Sequence, residues 1–248
     1  MIRLSEISTL PPHEINKKWA EKETAAMVHA IGEWQHKLYA EGKKSLLVIL
    51  QGMDASGKDG TIKTVFASCN PTGIDVYSFK KPTELEMAHD FLWRVHNKTP
   101  EKGNIMVFNR SHYEDILIQR VHNWITDDQA EKRMKAINAF EELLQFDAKT
   151  HIVKCYMHIS RERQQEKLQE RLDDATKNWK HNAGDWDEND HWDKYMNYYE
   201  YAINKSDAKW HVIPCDKRWY RNYCVAKVVL ATLEKMNPDL PLIQNTDD

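Results

Sequence analysis

An apolar run, Ser45-Leu46-Leu47-Val48-Ile49-Leu50, passes directly into Gln51-Gly52-Met53-Asp54-Ala55-Ser56-Gly57-Lys58-Asp59-Gly60, and no other junction constrains the fold as tightly. Gly52 and Gly57-Lys58 have the GxxxxGK spacing of a phosphate-binding loop. Small residues there let successive backbone N–H groups close around phosphate oxygens, and the lysine adds a compact positive charge. A strand in front and a helix-prone segment behind, Thr61 to Ala67, put the loop at a helix N-terminus, which favours an anion. The hydroxyl that usually follows the lysine is replaced by Asp59, and a second carboxylate, Asp54, lies inside the loop. Asp54 is therefore the candidate metal ligand, reaching magnesium directly or through water; the alternative is a helix N-cap or turn residue.

Further strand-length apolar runs follow at Ile74–Phe79, Ile105–Phe108, Ile152–Ile159 and Trp210–Ile213, separated by longer polar stretches. The alternation predicts a parallel sheet of about five strands with helices on both faces, a P-loop kinase-like three-layer α/β/α sandwich. Met27, Ile31, Trp34 and Leu38 recur at helical spacing between Pro11-Pro12 and Gly42, predicting an N-terminal helix over about 12–41. Asp127 to Lys149, free of Gly and Pro, suits a long crossover helix, and Arg218 to Met236 a closing helix before a short polar end after Pro238. About fifty residues separate the fourth and fifth strands, too many for an ordinary connection. The excess, about 161–200, reads as a helical lid on a core of about 45–160 and 208–236. A chain of 248 residues suits one such domain.

Charged residues make up 29% of the chain, yet the net charge is -3, so any anion site must be local and general attraction to nucleic acid is disfavoured. Cys69, Cys155, Cys215 and Cys224 show no CxxC spacing and read as buried thiols in a reducing compartment. No leader-like segment opens the sequence, and no run approaches the roughly 20 apolar residues of a membrane span. The expectation is a cytoplasmic protein with no membrane partner. The histidines show no HExxH or HxH spacing, and His112 is near the site by position only. The aromatic run Trp192 to Tyr201 suits packing better than base stacking.

At the end of the third strand, Asn109 stands where an acidic residue commonly completes a magnesium shell. Arg110 follows it. A permanently charged, planar guanidinium suits a transferring phosphoryl group; the alternative is an ion pair with Glu114 or Asp115. Lys80 and Lys81 follow the second strand at the carboxyl edge, where open α/β sheets take ligands. In the insertion, Arg163, Lys167 and Arg171 fall at i, i+4, i+8, and Lys177 and Lys180 continue the series. Glu162, Glu166 and Glu170 interleave with them, so a salt-bridged solvent face competes with a lid that closes over phosphates.

Together these segments resemble the polyphosphate kinase 2 family, P-loop enzymes that pass phosphoryl groups between inorganic polyphosphate and nucleotides. The resemblance runs from the N-terminal helix to Met236. It rests on GMDASGKDG at Gly52 to Gly60, FKKPT at Phe79 to Thr83, HDFLWR at His89 to Arg94 and FNRSHYED at Phe108 to Asp115. RLDD and KNWK between Arg171 and Lys180, and DKRWYRN at Asp216 to Asn222, extend it. HDFLWR and NRSHYED look like the subgroup called class III, associated with phosphorylating both nucleoside monophosphates and diphosphates; other subgroups tend to carry Trp-Tyr in place of His112-Tyr113. Ala175 stands where proline is expected in the lid motif, and His181 where an aromatic is common, which bears on lid stiffness.

The resemblance implies functional roles for Asp54, Lys58, Arg110 and Arg171. Polyphosphate would be held by the loop (Gly52, Ala55, Ser56, Gly57, Lys58, Asp59, Gly60) together with Lys80, Lys81 and Arg110. Nucleotide contacts would come from Glu114, Arg171, Lys177 and Lys180, with Glu114 bearing on acceptor range. Magnesium, or manganese in its place, AMP, ADP and ATP, with GMP and GDP as further acceptors, and a homodimer or homotetramer are also implied. Two rivals share parts of the pattern: an ATP-dependent nucleoside monophosphate kinase of the thymidylate kinase type, and a non-catalytic polyanion-binding module. The lysine pair and the missing hydroxyl after Lys58 favour polyphosphate over the first, and the acidic balance disfavours the second.

Overall fold

The computed structural model describes residues 1–241; residues 242–248, most of the polar end expected after Pro238, lie outside the described residues. Among the described residues five strands, β1 (Ser45–Gln51), β2 (Ile74–Ser78), β3 (Ile105–Asn109), β4 (Thr150–His158) and β5 (Trp210–Pro214), form one sheet in the order β2-β3-β1-β4-β5. Every pairing is parallel. Central β1 is paired on both edges and covered on both faces, so each of its residues is buried. That is why it reads as a continuous apolar run, whereas edge strand β2 keeps exposed positions.

Among the described residues ten α-helical segments precede, connect or follow the strands: α1 (Lys17–Glu41), α2 (Lys58–Val65), α3 (Glu84–Met87), α4 (Trp93–His96), α5 (Ile118–Val121), α6 (Asp127–Phe146), α7 (Arg161–Asp173), α8 (Gly184–Asp190), α9 (Trp192–Lys205) and α10 (Arg218–Met236). The side chain of Asn16 accepts the backbone N–H groups of Lys18 and Trp19, which starts α1 after the proline pair, and Gly42 ends it in the left-handed region at φ 63°. A reciprocal capping box between Thr126 and Gln129 starts α6. The chain leaves α6 at Phe146, short of Lys149, whose φ of 55° turns it into β4. Helices α1, α2 and α10 pack together, with α10 against β4 and β5, while α6 packs on β4. Successive β4 residues point to opposite faces. Lys154 accordingly meets Glu141 of α6, and Cys155 turns toward the α10 layer. The sandwich therefore has the three expected layers.

The α6 side of the core holds charge. Lys154, fully buried, donates to Glu141 at 2.6 Å and to the Tyr113 hydroxyl at 2.7 Å, and Tyr113 donates to Glu141 at 2.9 Å. His112 lies 3.3 Å from the same carboxylate and is fully buried, so it belongs to this core network. In the insertion, α9 buries Trp192, Tyr195, Tyr199, Ala202 and Ile203, as expected of a packing run. The insertion also holds α7, the turn Asn178–Lys180 and α8. Among the described residues no helix is long and apolar enough to cross a membrane, and all four cysteines are free.

Candidate active site

The register of β1 on β3 aligns Leu50 with Asn109, and the Arg110 N–H donates to the Leu50 carbonyl at 3.0 Å. The loop after β1 and the turn after β3 thus emerge side by side at the carboxyl edge. A cleft of about 660 Å³ opens there. Asp54, Ala55, Gly57, Lys58, Asp59 and Gly60 line it from the loop, Asn109 and Arg110 from the end of β3, and Arg171, Lys177 and Lys180 from the insertion. Nine lysines and arginines line the cleft against three carboxylates, so a molecule of net charge -3 carries a strongly cationic pocket.

Lys58 is buried, and its ammonium donates to the Gly52 and Met53 carbonyls at 2.8 and 3.1 Å. Burial, reinforced by Arg110, pushes it down to about 8. Gly52 and Ser56 shape the loop from behind the cleft surface. A Cβ on Gly52 would fall 2.8 Å from the Met157 carbonyl, and the Ser56 hydroxyl is buried without a partner. Ala55 takes a left-handed φ of 62°.

Asp54 forms an ion pair with Arg110. Burial pushes the Asp54 carboxyl up, but Arg110, Lys58 and Arg171 together outweigh it and hold the group below the usual carboxylate range. Arg110 also lies 3.5 Å from Glu114, whose other oxygen accepts from Gln51. Arg110 therefore lines the cleft and forms the ion pair with Glu114 that is its alternative reading. Asp115 turns away to Arg94, at 3.5 Å. Glu114 does not line the cleft; it stands behind Arg110.

Oxygen donors collect around the loop. The Asn109 amide donates to Asp59 at 2.7 Å, leaving its buried carbonyl oxygen without a partner. Together with the Asp54 and Asp59 carboxylates, it supplies the hard oxygens magnesium prefers. Among the described residues no cluster of three His, Cys, Asp or Glu could hold a metal by itself. Water and phosphate would have to complete the shell, as is usual for magnesium.

Above the loop, Arg171 pairs with Asp185 and donates to the Lys180 carbonyl at 3.2 Å. Lys177 lies 2.9 Å from Asp174 and 3.6 Å from Glu170, and the Lys180 ammonium sits over the exposed ring of Trp179. The basic stripe divides. Arg163 spends its charge on Glu166 and Glu170 at the surface, whereas Lys167 and Arg171 face the cleft. Lys80 and Lys81 are exposed and do not line the cleft, because they follow edge strand β2, two strands away from β1. Arg94 of HDFLWR holds the Lys80 carbonyl at 2.9 Å, which ties that motif to the turn.

Lys63, Arg218 and Arg221 also line the cleft; the two arginines fall within DKRWYRN, but none of the three is assigned a role from the sequence. The available signal is their place: α10 begins at Arg218 directly after β5, on the same carboxyl edge as the loop.

The family model for Polyphosphate kinase 2 (PPK2) matches residues 14–241. An AMP/ADP-polyphosphate phosphotransferase of Meiothermus ruber is 45% identical over 231 residues, 92% of this chain and 86% of that protein. An ADP-polyphosphate phosphotransferase of Rhodopseudomonas palustris is 38% identical over 229 residues, 86% of this chain and 79% of that protein. The crystal structure of polyphosphate kinase 2 from Arthrobacter aurescens TC1 superposes with a TM-score of 0.94 at 38% identity, covering 100% of this chain and 90% of that one.

Proposed function

The chain belongs to the polyphosphate kinase 2 family, and on that premise we propose that it transfers phosphoryl groups reversibly between inorganic polyphosphate and both nucleoside mono- and diphosphates, AMP to ADP and ADP to ATP, with magnesium. The observation that carries the reading is the cationic cleft in which the phosphate loop, Arg110 and the basic insertion meet. The name of the Meiothermus relative supports use of both acceptors. The resemblance also supports a homodimer or homotetramer.

Donor and acceptor are both phosphates, and the attacking oxygen is already largely ionised at neutral pH. In-line transfer then depends on positioning and charge stabilisation more than on a strong base. Loop N–H groups and Lys58 hold donor oxygens. Arg110, fixed by Asp54 and Glu114, faces the oxygens of the transferring group. Arg171, Lys177 and Lys180 close on the nucleotide phosphates and exclude water. Lys80 and Lys81 contact polymer that extends beyond the cleft. Asp54, with Asn109 and Asp59, would hold magnesium, which supplies charge neutralisation between the two phosphates when bound.

The test is incubation with ADP, long-chain polyphosphate and magnesium, without any nucleoside triphosphate, then with AMP, GMP and GDP in turn. ATP formed from ADP is the expected result. Phosphorylation of AMP by ATP alone would point to the nucleoside monophosphate kinase instead, and salt-sensitive polyanion binding without turnover to the binding module.

A further inference from the structure

Arg221 lies in the first turn of α10, and 2% of it is exposed. Its guanidinium nitrogens are committed to the phosphate loop and its flanks. Nε donates to the Thr61 hydroxyl at 2.7 Å, Nη1 to the Ser56 carbonyl at 3.2 Å and Nη2 to the Asn222 amide oxygen at 3.3 Å. The Thr61 hydroxyl in turn lies 3.1 Å from the Gly57 carbonyl and 3.3 Å from the Asn222 amide oxygen, and its one proton serves either acceptor. Gly57 admits this approach because it lacks a Cβ, which would lie 2.0 Å from Arg221 Nη1.

What the guanidinium lacks is an anion. Buried Arg94 has Asp115 and Glu86, and buried Lys154 has Glu141. Lys58 feels Asp54, Glu114 and Asp59. Among the described residues Arg221 has no carboxylate within 4.0 Å, and the charged neighbour on its own helix is another cation, Arg218. A buried charge without a counterion is costly, yet this one borders a cleft built for phosphate.

We propose that Arg221 is a positioning residue for phosphate transfer: it fixes the Ser56–Gly57 corner of the loop from the closing helix, and the phosphate taken by the loop balances its charge. The proposal rests on the reading of the cleft as a phosphate site. A Ser56 carbonyl engaged by Arg221 cannot turn toward a phosphate and repel it, so the loop N–H groups remain the surface the anion meets. Bound phosphate also relieves the cost of the unpaired cation, so removing Arg221 weakens the anion's hold on a loop that it does not covalently belong to.

The experiment titrates inorganic tripolyphosphate into the full-length protein, Arg221→Lys and Arg221→Met by calorimetry, well below their unfolding temperatures, with ATP formation measured in parallel. Arg221→Met is expected to weaken tripolyphosphate binding about tenfold or more. Arg221→Lys restores the charge and most of the binding, but kcat stays about tenfold low, because one ammonium cannot bridge Ser56 and Thr61 as the planar fork does. Wild-type affinity in Arg221→Met with only a lower unfolding temperature would make the residue structural and overturn the proposal. So would an Arg221→Lys variant that binds no better than Arg221→Met. Should Arg221→Met not fold, Arg221→Gln carries the same expectation. Wild-type protein that binds tripolyphosphate but makes no ATP would defeat the polyphosphate-transfer reading, while the affinity comparison would still decide the role of Arg221.

Discussion

Lys58 loses charge more readily than an ordinary lysine because burial and Arg110 both lower it, to about 8. The ammonium holds phosphate only while protonated, so free protein loses phosphate affinity as the pH rises through about 8; a bound phosphate opposes that loss. The expected profile is a kcat/KM for polyphosphate that falls above about pH 8, with kcat flat further into the alkaline range, because kcat/KM reports the free protein. Rates at limiting and saturating polyphosphate check this, and a flat kcat/KM across that range would contradict it. Truncating either cation on the transferring group, Lys58→Ala or Arg110→Ala, should lower turnover about 10³-fold or more with circular dichroism unchanged. Glu114 acts from behind, through Arg110 and Gln51. Glu114→Asn is expected to lower AMP use more than ADP use, read as the ratio of kcat/KM values; equal losses would leave Glu114 without a part in acceptor choice. Lys58, Asp54 and Arg110 are legible in the sequence because each sits at a fixed offset from a strand end. Arg221 falls within DKRWYRN, but its part is not legible there, because its partners Ser56 and Thr61 lie 165 and 160 positions away.

Between strand and helix, the phosphate loop keeps its glycines for different reasons. Gly57 has a φ of 93° and the Arg221 guanidinium where a Cβ would stand, whereas Gly60 has no atom nearer than 3.5 Å to that position and no positive φ. Gly57→Ala should therefore cost about 1–3 kcal/mol of stability, and Gly60→Ala, within α2, none or a slight gain. Urea unfolding of the two variants side by side decides it, and similar midpoints would rule out the steric account. Other elements divide in the same way. The ends of α1 and α6 follow from Asn16, Gly42 and the Thr126–Gln129 box, which act within a few residues of themselves. In α7, periodicity defines the stripe of Arg163, Lys167 and Arg171, but the partners of each member depend on what packs opposite.

Across the molecule, the α6 side of the sheet is held by a buried ion pair where an all-apolar core would also have sufficed. Lys154→Met leaves Glu141 buried without its cation and should cost about 3–5 kcal/mol, while adding Glu141→Leu should recover part of that loss. Urea unfolding followed by circular dichroism and by fluorescence measures both; a single variant as stable as the wild type would show that Glu141 finds another partner. Periodicity, capping residues and glycine spacing act over a few positions of the chain, so they alone are enough to prescribe a phosphate loop, five strands and an α/β/α sandwich with a long insertion before the last strand. The order β2-β3-β1-β4-β5 is not written in any such window. It arises from contacts between residues tens to hundreds of positions apart. That order sets Arg110 beside Asp54, leaves Lys80 and Lys81 outside the cleft, draws His112 into the core and brings Arg221 of the last helix against the phosphate loop.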